Sequence, residues 1–547
     1  MASRPFLGSV REGVGARVGA TVVGTHARAK GRGLPPAPLA LAVPEVVAPI
    51  SFTSRRRAGY GRGAMAGYAY DRLSVVDGSF LAIEGPNTHQ HVAAVTVFET
   101  GPLRATHGGL DFDRVRAYVA SRLHLIPRYR QRIVPVPFGT RHVWADDEHF
   151  NLDYHLRHTS LPRPGSDDQL RRLAARIVSQ PLDRARPLWE IWVVEGLAGG
   201  DRFALIAKTH HCMIDGISGV DLMAVLLSPS PDETAEEAVA WTPRRPPSPL
   251  QLFRDEMLRR ARESLGLARA LPLGLSQMRG VVASALESVG ALGETLLAAA
   301  RPASETPLNR PIGPHRRFDW LVLDLEDVKA VKNRLGGTVN DVVLATVAGA
   351  LQRFLERRRV NVETLDIRAS VPVSLRPAEG RGTLGNQIAL WMTPLPVAER
   401  DPLRRLARVR ETTARLKDSR QTLGAQVLAA VSEWTSSTLL SLAVQLSVRS
   451  RPFNLVVTNV PGPQVPLYLL GAPLLECYPM LALLPSQGLG IALFSYAGKL
   501  CWGFLADYDL MPDLHDVVRA VAASFDELRA AGEPPLRAGS TEAARSR

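Results

Sequence analysis

The strongest constraint on this fold is a pair of β-rich runs, LWEIWVVEGL (188–197) and RFALIAKTHH (202–211), separated only by AGGD. Apolar and β-branched residues on both sides of a Gly-Gly turn predict an antiparallel hairpin. The second run ends on adjacent histidines, His210 and His211, and passes through CMIDG into SGVDLMAVLLS, which has a helical pattern. A strand end leading into a helix is a place where side chains can face a cleft. The string His210-His211-x-x-x-Asp215-Gly216 is therefore where the search for chemistry starts.

Strands and helices are mixed on either side of this hairpin, which predicts an α+β chain. His91 to Phe98 alternates as a strand, and DFDRVRAYVASRLHLIPRYRQRIV reads as an amphipathic helix leading into a strand. SDDQLRRLAARIVSQPL begins with Ser/Asp capping residues and predicts a second helix. Proline- and acid-rich residues 229–249 form a linker, and 250–300 carry helical signals with Leu250, Phe253, Met257, Ala261 and Leu265 on one face. Such a basic amphipathic segment suits either a helix crossing between two units or one lying on anionic lipid. Residues 301–317 read as a loop. From Arg317 a second mixed unit runs FDWLVLDLEDVKAV (strand into helix), TVNDVVLATVAGALQRFLERR (helix, capped by Thr338), then strands in LDIRASVPVSLRP, NQIALWMTPLPV and FNLVVTNVPGP. LHDVVRAVAASFDELRAA is the last helix. The expected organisation is a basic extension over 1–64, units over 65–228 and 317–532 joined by linker and crossover helices at 229–316, and a disordered tail over 533–547. A length of 547 residues, 46% hydrophobic and 22% charged, supports two core-bearing units.

The net charge of +13 is concentrated at the start, where residues 1–64 hold ten Lys or Arg against Glu12 and Glu45. That stretch has no hydrophobic periodicity, and its prolines deny it a helix. It reads as a disordered tail or an upstream start preceding a product that begins at Met65, with a transit peptide as the competing view. The remaining body is mildly basic, which fits anionic phosphorylated ligands or a membrane surface. It lacks the Lys/Arg runs interleaved with aromatics that mark a nucleic-acid binder. Cys212, Cys477 and Cys501 are too few and too far apart for a disulfide framework or a CxxC zinc site, so a reducing cytoplasmic compartment is expected. No run reaches the ~18 apolar residues of a spanning helix, leaving peripheral membrane contact.

Neighbouring side chains on a strand point to opposite sides, so His210 and His211 do not readily share a metal ion. A neutral imidazole suits general-base chemistry, provided one nitrogen is free and the other fixes the tautomer. The alternative is a buried, satisfied histidine. Asp215 fits a structural ion pair, with Arg376 as a partner, as well as it fits a triad; Gly216 allows a turn that a Cβ would crowd. Cys212 beside a histidine could be a nucleophile, though small residues there usually pack. There is no GxSxG elbow or Walker loop.

HHCMIDGISG resembles the signature of the HHxxxDG acyltransferases, which have a chloramphenicol-acetyltransferase-like fold. Further strings narrow the likeness: DRLSVVDGSFLAIEGPNTHQHVAAV, RPLWEIWVVEGL, LNRPIGPHRRF, GGTVNDVVLATVAGAL, ASVPVSLRP, GTLGNQI and VTNVPGP, in that order over about residues 68–530. Together they resemble the bacterial wax ester synthase/acyl-CoA:diacylglycerol acyltransferase family. The resemblance implies two chloramphenicol-acetyltransferase-like subdomains joined by a helical crossover. It also implies acyl transfer from acyl-CoA, a co-substrate, to diacylglycerol or a long-chain alcohol, with no cofactor, no metal and no nucleic acid. His211 would be the base, His210 and Asp215 would hold the loop, Gly216 would permit its turn, and Asn340 would support the site unless it only caps its helix. Asp341 would be structural. An acyl tunnel would be lined from NQIALWM and ECYPMLALLPSQGLGIALF, which could equally be core. Peripheral association with membrane or lipid bodies is expected. The motif is also shared by carrier-protein-dependent condensation domains, and an inactive lipid-binding protein of this fold is a further alternative.

Overall fold

The computed structural model describes residues 70–106, 108–137, 141–213, 225–234, 236–270, 302–374, 388–418 and 451–532. The expected basic extension, the C-terminal tail, most of the helix after Gly216 and the stretch 271–301 lie outside these residues.

In the first half, β1 (Tyr70–Arg72) and α1 (Val75–Ile83) lead into β2 (His91–Glu99). Helix α2 (Phe112–Arg122) passes through two short 3-10 turns, the second opened by Pro127, to β3 (Gln131–Pro135) and β4 (His142–Asp146). A single turn α3 (Leu152–His155) and β5 (Leu156–Ser160) precede α4 (Asp167–Ser179). Ser166 and Gln169 cap α4 reciprocally, as the Ser/Asp start predicted. The expected hairpin is β6 (Trp189–Leu197) and β7 (Arg202–His210). Its connection needs φ of 72° at Gly199 and 104° at Gly200, a conformation that a Cβ disfavours.

Helix α5 (Pro249–Ala270) corrects one expectation. The predicted apolar stripe is not its packed face: Leu250 is 76% and Met257 38% exposed. Leu252, Asp255 and Glu256 face inward instead, against the small sheet ordered β1-β4-β3. Tyr70 donates to Asp255 at 2.9 Å, and Arg72 reaches Glu256 at 3.3 Å. Burial disfavours the Glu256 charge, but Arg259 and Arg260 beside it hold its pKa at about 2. Polar anchoring thus set the helix rotation, and the hydrophobic period could not report it.

The second half contains β8 (Arg316–Asp324), α6 (Leu325–Leu335), α7 (Val339–Arg357), β9 (Ile367–Ser374), β10 (Ile388–Leu395) and α8 (Pro402–Asp418). Then come β11 (Leu455–Pro461), β12 (Tyr468–Leu469), β13 (Ala472–Met480), β14 (Leu489–Tyr496), β15 (Lys499–Asp507) and α9 (Leu514–Ala531). One six-stranded sheet runs β10-β9-β11-β14-β15-β8. Helix α7 packs among α6, α8 and α9, so apolar residues all round it are buried.

The sheet bearing the histidines runs β12-β13-β2-β7-β6-β5, so it takes β13 from the second half of the chain. β13 pairs antiparallel with β2, Cys477 opposite Thr96 and Met480 opposite Ala93, and packs across β14 and β15. The apolar string ECYPMLALLPSQGLGIALF, expected either as tunnel or as core, supplies Cys477, Met480, Leu483, Leu489 and Ile491 to the cores. Across the junction Tyr478 stacks on Trp320 of β8 at 4.6 Å, and Arg171 of α4 lies over Trp320 at 4.3 Å while pairing with Asp319 at 2.9 Å.

Where β13 crosses β15, a Cβ on Gly503 would sit 1.8 Å from the Pro479 carbonyl oxygen. Gly503→Ala is therefore expected to lower stability by about 2–3 kcal/mol, because backbone must move. Gly498→Ala, in the β14–β15 turn at φ 80° with open space around it, should cost only about 1 kcal/mol. Urea unfolding of both variants checks this order.

Candidate active site

Two main-chain contacts fix the histidine pair. The His210 N–H donates to Leu188 O at 2.9 Å, and the His211 N–H donates to Gln90 O at 2.7 Å. The first extends the β6–β7 ladder and the second ties the turn to the segment before β2. β7 ends at His210, and a 3-10 turn over His211–Met213 starts there, so the two side chains leave the backbone into different surroundings.

His210 is buried opposite His91 of β2, with their rings edge-on at 5.9 Å. Its Nδ1 accepts the Cys212 N–H at 3.1 Å, and this bond places the ring proton on Nε2. Nε2 faces Glu84 Oε1 at 3.5 Å, a charge–dipole contact and not a well-formed hydrogen bond. Glu84 ends α1, accepts the Gln90 N–H at 3.2 Å, and is gripped by Arg184. Burial works against the Glu84 charge, but His210 and Arg184 hold its pKa at about 2. His91, buried and near Lys208, stays neutral, its pKa well below the ordinary histidine value.

His211 lies against Phe80 of α1, the rings stacked at 3.9 Å and 18°. Its Nδ1 is buried without a hydrogen-bond partner among the described residues, while the residue as a whole is only part-buried. With Nδ1 sealed, Nε2 is the ring nitrogen left for chemistry. Burial lowers the His211 pKa to about 4, against a small opposing pull from its own carbonyl. At neutral pH it is an unprotonated base with its plane set by Phe80.

Cys212 points into the core, and burial pushes its thiol well above the ordinary range. A thiol kept neutral is a poor nucleophile, so the covalent alternative loses its chemical basis. Asp215, Gly216 and Arg376 lie outside the described residues. Asn340 is the second residue of α7 and half-buried. Capping belongs to its neighbours: Thr338 Oγ1 accepts the Asp341 N–H, and the Asp341 carboxylate accepts from the Thr338 N–H and from Thr413 Oγ1. Asp341 is structural, as expected. The Asn340 amide makes no hydrogen bond to another described residue, so capping is not its role.

Behind the histidines, Lys208 is fully buried. Its ammonium donates to the carbonyls of Ile177 at 3.1 Å and Gln180 at 3.2 Å, and faces Glu190 at 3.4 Å. A cation on the last carbonyls of α4 suits the helix dipole and moors that helix to β7. The residues that sequence reasoning did not single out are Phe80, Glu84, Gln90, His91, Arg184 and Lys208. Only the NTHQH string, adjacent to the start of β2, carried a visible signal for them.

A family model for the wax ester synthase/diacylglycerol acyltransferase catalytic domain matches residues 73–343, and one for the C-terminal domain of the same family matches 384–529. A Mycobacterium tuberculosis protein provisionally named a diacylglycerol O-acyltransferase is 34% identical over 467 residues, 84% of this chain and 90% of its own. Another from that organism, "Probable diacyglycerol O-acyltransferase", is 32% identical over 82% of this chain and 94% of its own. Among solved structures, the wax ester synthase/diacylglycerol acyltransferase of Marinobacter aquaeolei superposes with a TM-score of 0.60 at 26% identity, covering 84% of this chain and 99% of that one. A condensation domain of the calcium-dependent antibiotic synthetase, at 18% identity and a TM-score of 0.51 over 86% of this chain and 97% of that one, shares the fold.

Glu84→Gln removes the carboxylate beside His210 and strands Arg184. It is expected to destabilise the protein by about 1–3 kcal/mol at pH 7. Because the folded pKa of Glu84 is depressed to about 2, the wild-type advantage is complete above the unfolded value near 4.5 and narrows as pH falls toward 2. Denaturant titrations of both proteins between pH 7 and pH 3 read that narrowing.

Proposed function

The chain belongs to the wax ester synthase/diacylglycerol acyltransferase family, and we propose that it moves a long-chain acyl group from acyl-CoA to the hydroxyl of diacylglycerol or a long-chain alcohol, with His211 as general base. The observation that carries the proposal is the setting of His211: an unprotonated imidazole at the end of β7, stacked on Phe80, with Nδ1 buried and without a partner among the described residues.

In this mechanism the acceptor hydroxyl gives its proton to His211 Nε2 as its oxygen attacks the thioester carbonyl carbon. The resulting oxyanion needs donors aimed at it, and the amide of Asn340 at the start of α7, which makes no hydrogen bond to another described residue, supports that role. Collapse breaks the carbon–sulfur bond. The CoA thiolate leaves and takes the proton back from His211, so the products are an ester and free CoA with no acyl-enzyme. His210, held by Cys212 N–H and Glu84, keeps the turn in place and makes no contact with substrate. Asp215 and Gly216 would complete the turn. Long-chain substrates reach the site from a lipid surface, with the protein docked peripherally; among the described residues no helix is long and apolar enough to cross a membrane.

The full chain incubated with labelled palmitoyl-CoA and either dioleoylglycerol or hexadecanol is expected to form labelled ester. His211→Ala should lower kcat by about 10³ or more, while Cys212→Ala keeps most activity. Full activity of His211→Ala would sink the base assignment. With His211 near pKa 4, the acid limb of kcat/KM should fall well below the ordinary histidine value near 6.5, so rates stay flat from pH 6 to 8. Asn340→Ala should reduce kcat by about 10–100-fold with Tm unchanged, since Thr338 and Asp341 retain the cap.

A further inference from the structure

A cleft of about 700 Å³ lies between α4 of the first half and the start of β8 and α9 of the second. That volume is in the range of a nucleotide-sized ligand site. Five arginines line it: Arg171, Arg172, Arg176, Arg316 and Arg317. Its carboxylates are already engaged. Asp319 is held by Arg171 at 2.9 Å and His515 at 2.8 Å, and Asp168 by Arg172 at 2.9 Å.

That leaves cations without anions. Arg176 is exposed and makes no ion pair or hydrogen bond with another described residue. Arg317 lies over the Tyr508 ring at 3.9 Å and donates Nε to the Tyr508 carbonyl at 3.0 Å, without a carboxylate partner among the described residues. An arginine stacked on an exposed tyrosine offers a planar donor fork beside an aromatic face, which suits phosphate next to a heterocycle.

The cleft is physically coupled to the histidines on two sides. Buried Arg316, on its floor, donates to the carbonyl of Asn87, and three residues later the Gln90 carbonyl accepts the His211 N–H. On the other wall, the last carbonyls of α4 accept from Lys208, two residues before His210. Arg316 and α4, which line the cleft, are thus each one hydrogen bond from the segments that lead to His210 and His211.

We propose that this cleft binds the phosphate-bearing nucleotide head of the acyl donor, with Arg176 and Arg317 as its free cations. The assignment rests on the acyl-CoA reading above. A concave site between two lobes favours a compact polyphosphate over a flat lipid surface, although phospholipid headgroups share the phosphate chemistry.

The test is calorimetric titration of the full chain, wild type and the double variant Arg176→Glu/Arg317→Glu, with CoA, 3′-dephospho-CoA and pantetheine. The CoA Kd should rise about tenfold or more in the variant, and the wild-type affinity should fall with salt. In turnover, the wild-type preference for palmitoyl-CoA over palmitoyl-pantetheine in kcat/KM should shrink by a similar factor. Arg176→Gln, a change at an exposed position that leaves the fold's contacts alone, should move CoA affinity in the same direction by less. Unchanged CoA affinity overturns the proposal. So does an equal loss with pantetheine, or a variant that loses binding to phosphatidylglycerol vesicles while keeping CoA. Titration does not depend on turnover: a chain that binds CoA here but transfers no acyl group refutes the mechanism alone, and one that transfers without a cleft response refutes this site alone.

Discussion

Two backbone N–H groups, on His210 and His211, anchor everything chemical in this protein. Their acceptors, Leu188 and Gln90, come from stretches on either side of β7, and β2 lies against β7 with His91 facing His210. Since the side-chain period of a strand is two, a one-residue slip in that ladder would turn His210 away from Glu84 and break both anchors. The placement of the histidine pair is therefore a property of sheet register before it is a property of side chains. Phe80, Glu84 and Arg184 then refine what the ladder has already placed.

The two histidines illustrate how one sequence pair takes two roles. His210 is enclosed, with Nδ1 accepting the Cys212 N–H and Nε2 facing the Glu84 carboxylate at 3.5 Å. His211, one residue on, has left the strand and stacks on Phe80 instead. The same burial that holds His211 unprotonated also holds Cys212 as a neutral thiol, so a single apolar setting keeps both side chains uncharged.

Much of this was legible in the sequence wherever the signal was local. The β6–β7 hairpin, the β2 alternation, the Ser166 cap and the Thr338 cap all depend on residues within a few positions of each other. The ordered strings also specified the family and the α+β class. The rotation of α5 was not legible, because two buried carboxylates and their distant partners, Tyr70 and Arg72, outweigh its apolar stripe. Glu84 was invisible for a related reason: nothing near it in sequence reveals that folding brings it to His210. The cleft arginines looked like ordinary solvated charge, since their excess arises only when α4 meets β8.

The transfer of β13 into the histidine-bearing sheet has a consequence for how the protein is made. Until residues 472–480 leave the ribosome, β2 is an open edge whose backbone N–H and C=O groups lack the partners that β13 supplies. An uncovered apolar edge invites pairing with other chains. The first half must wait for nearly the whole polypeptide, and its sheet closes through contacts of very long sequence separation, which are slow to form. The sheet that carries the histidine pair is thus complete only when a strand from the far end of the chain has joined it, which ties the two halves into one folding problem.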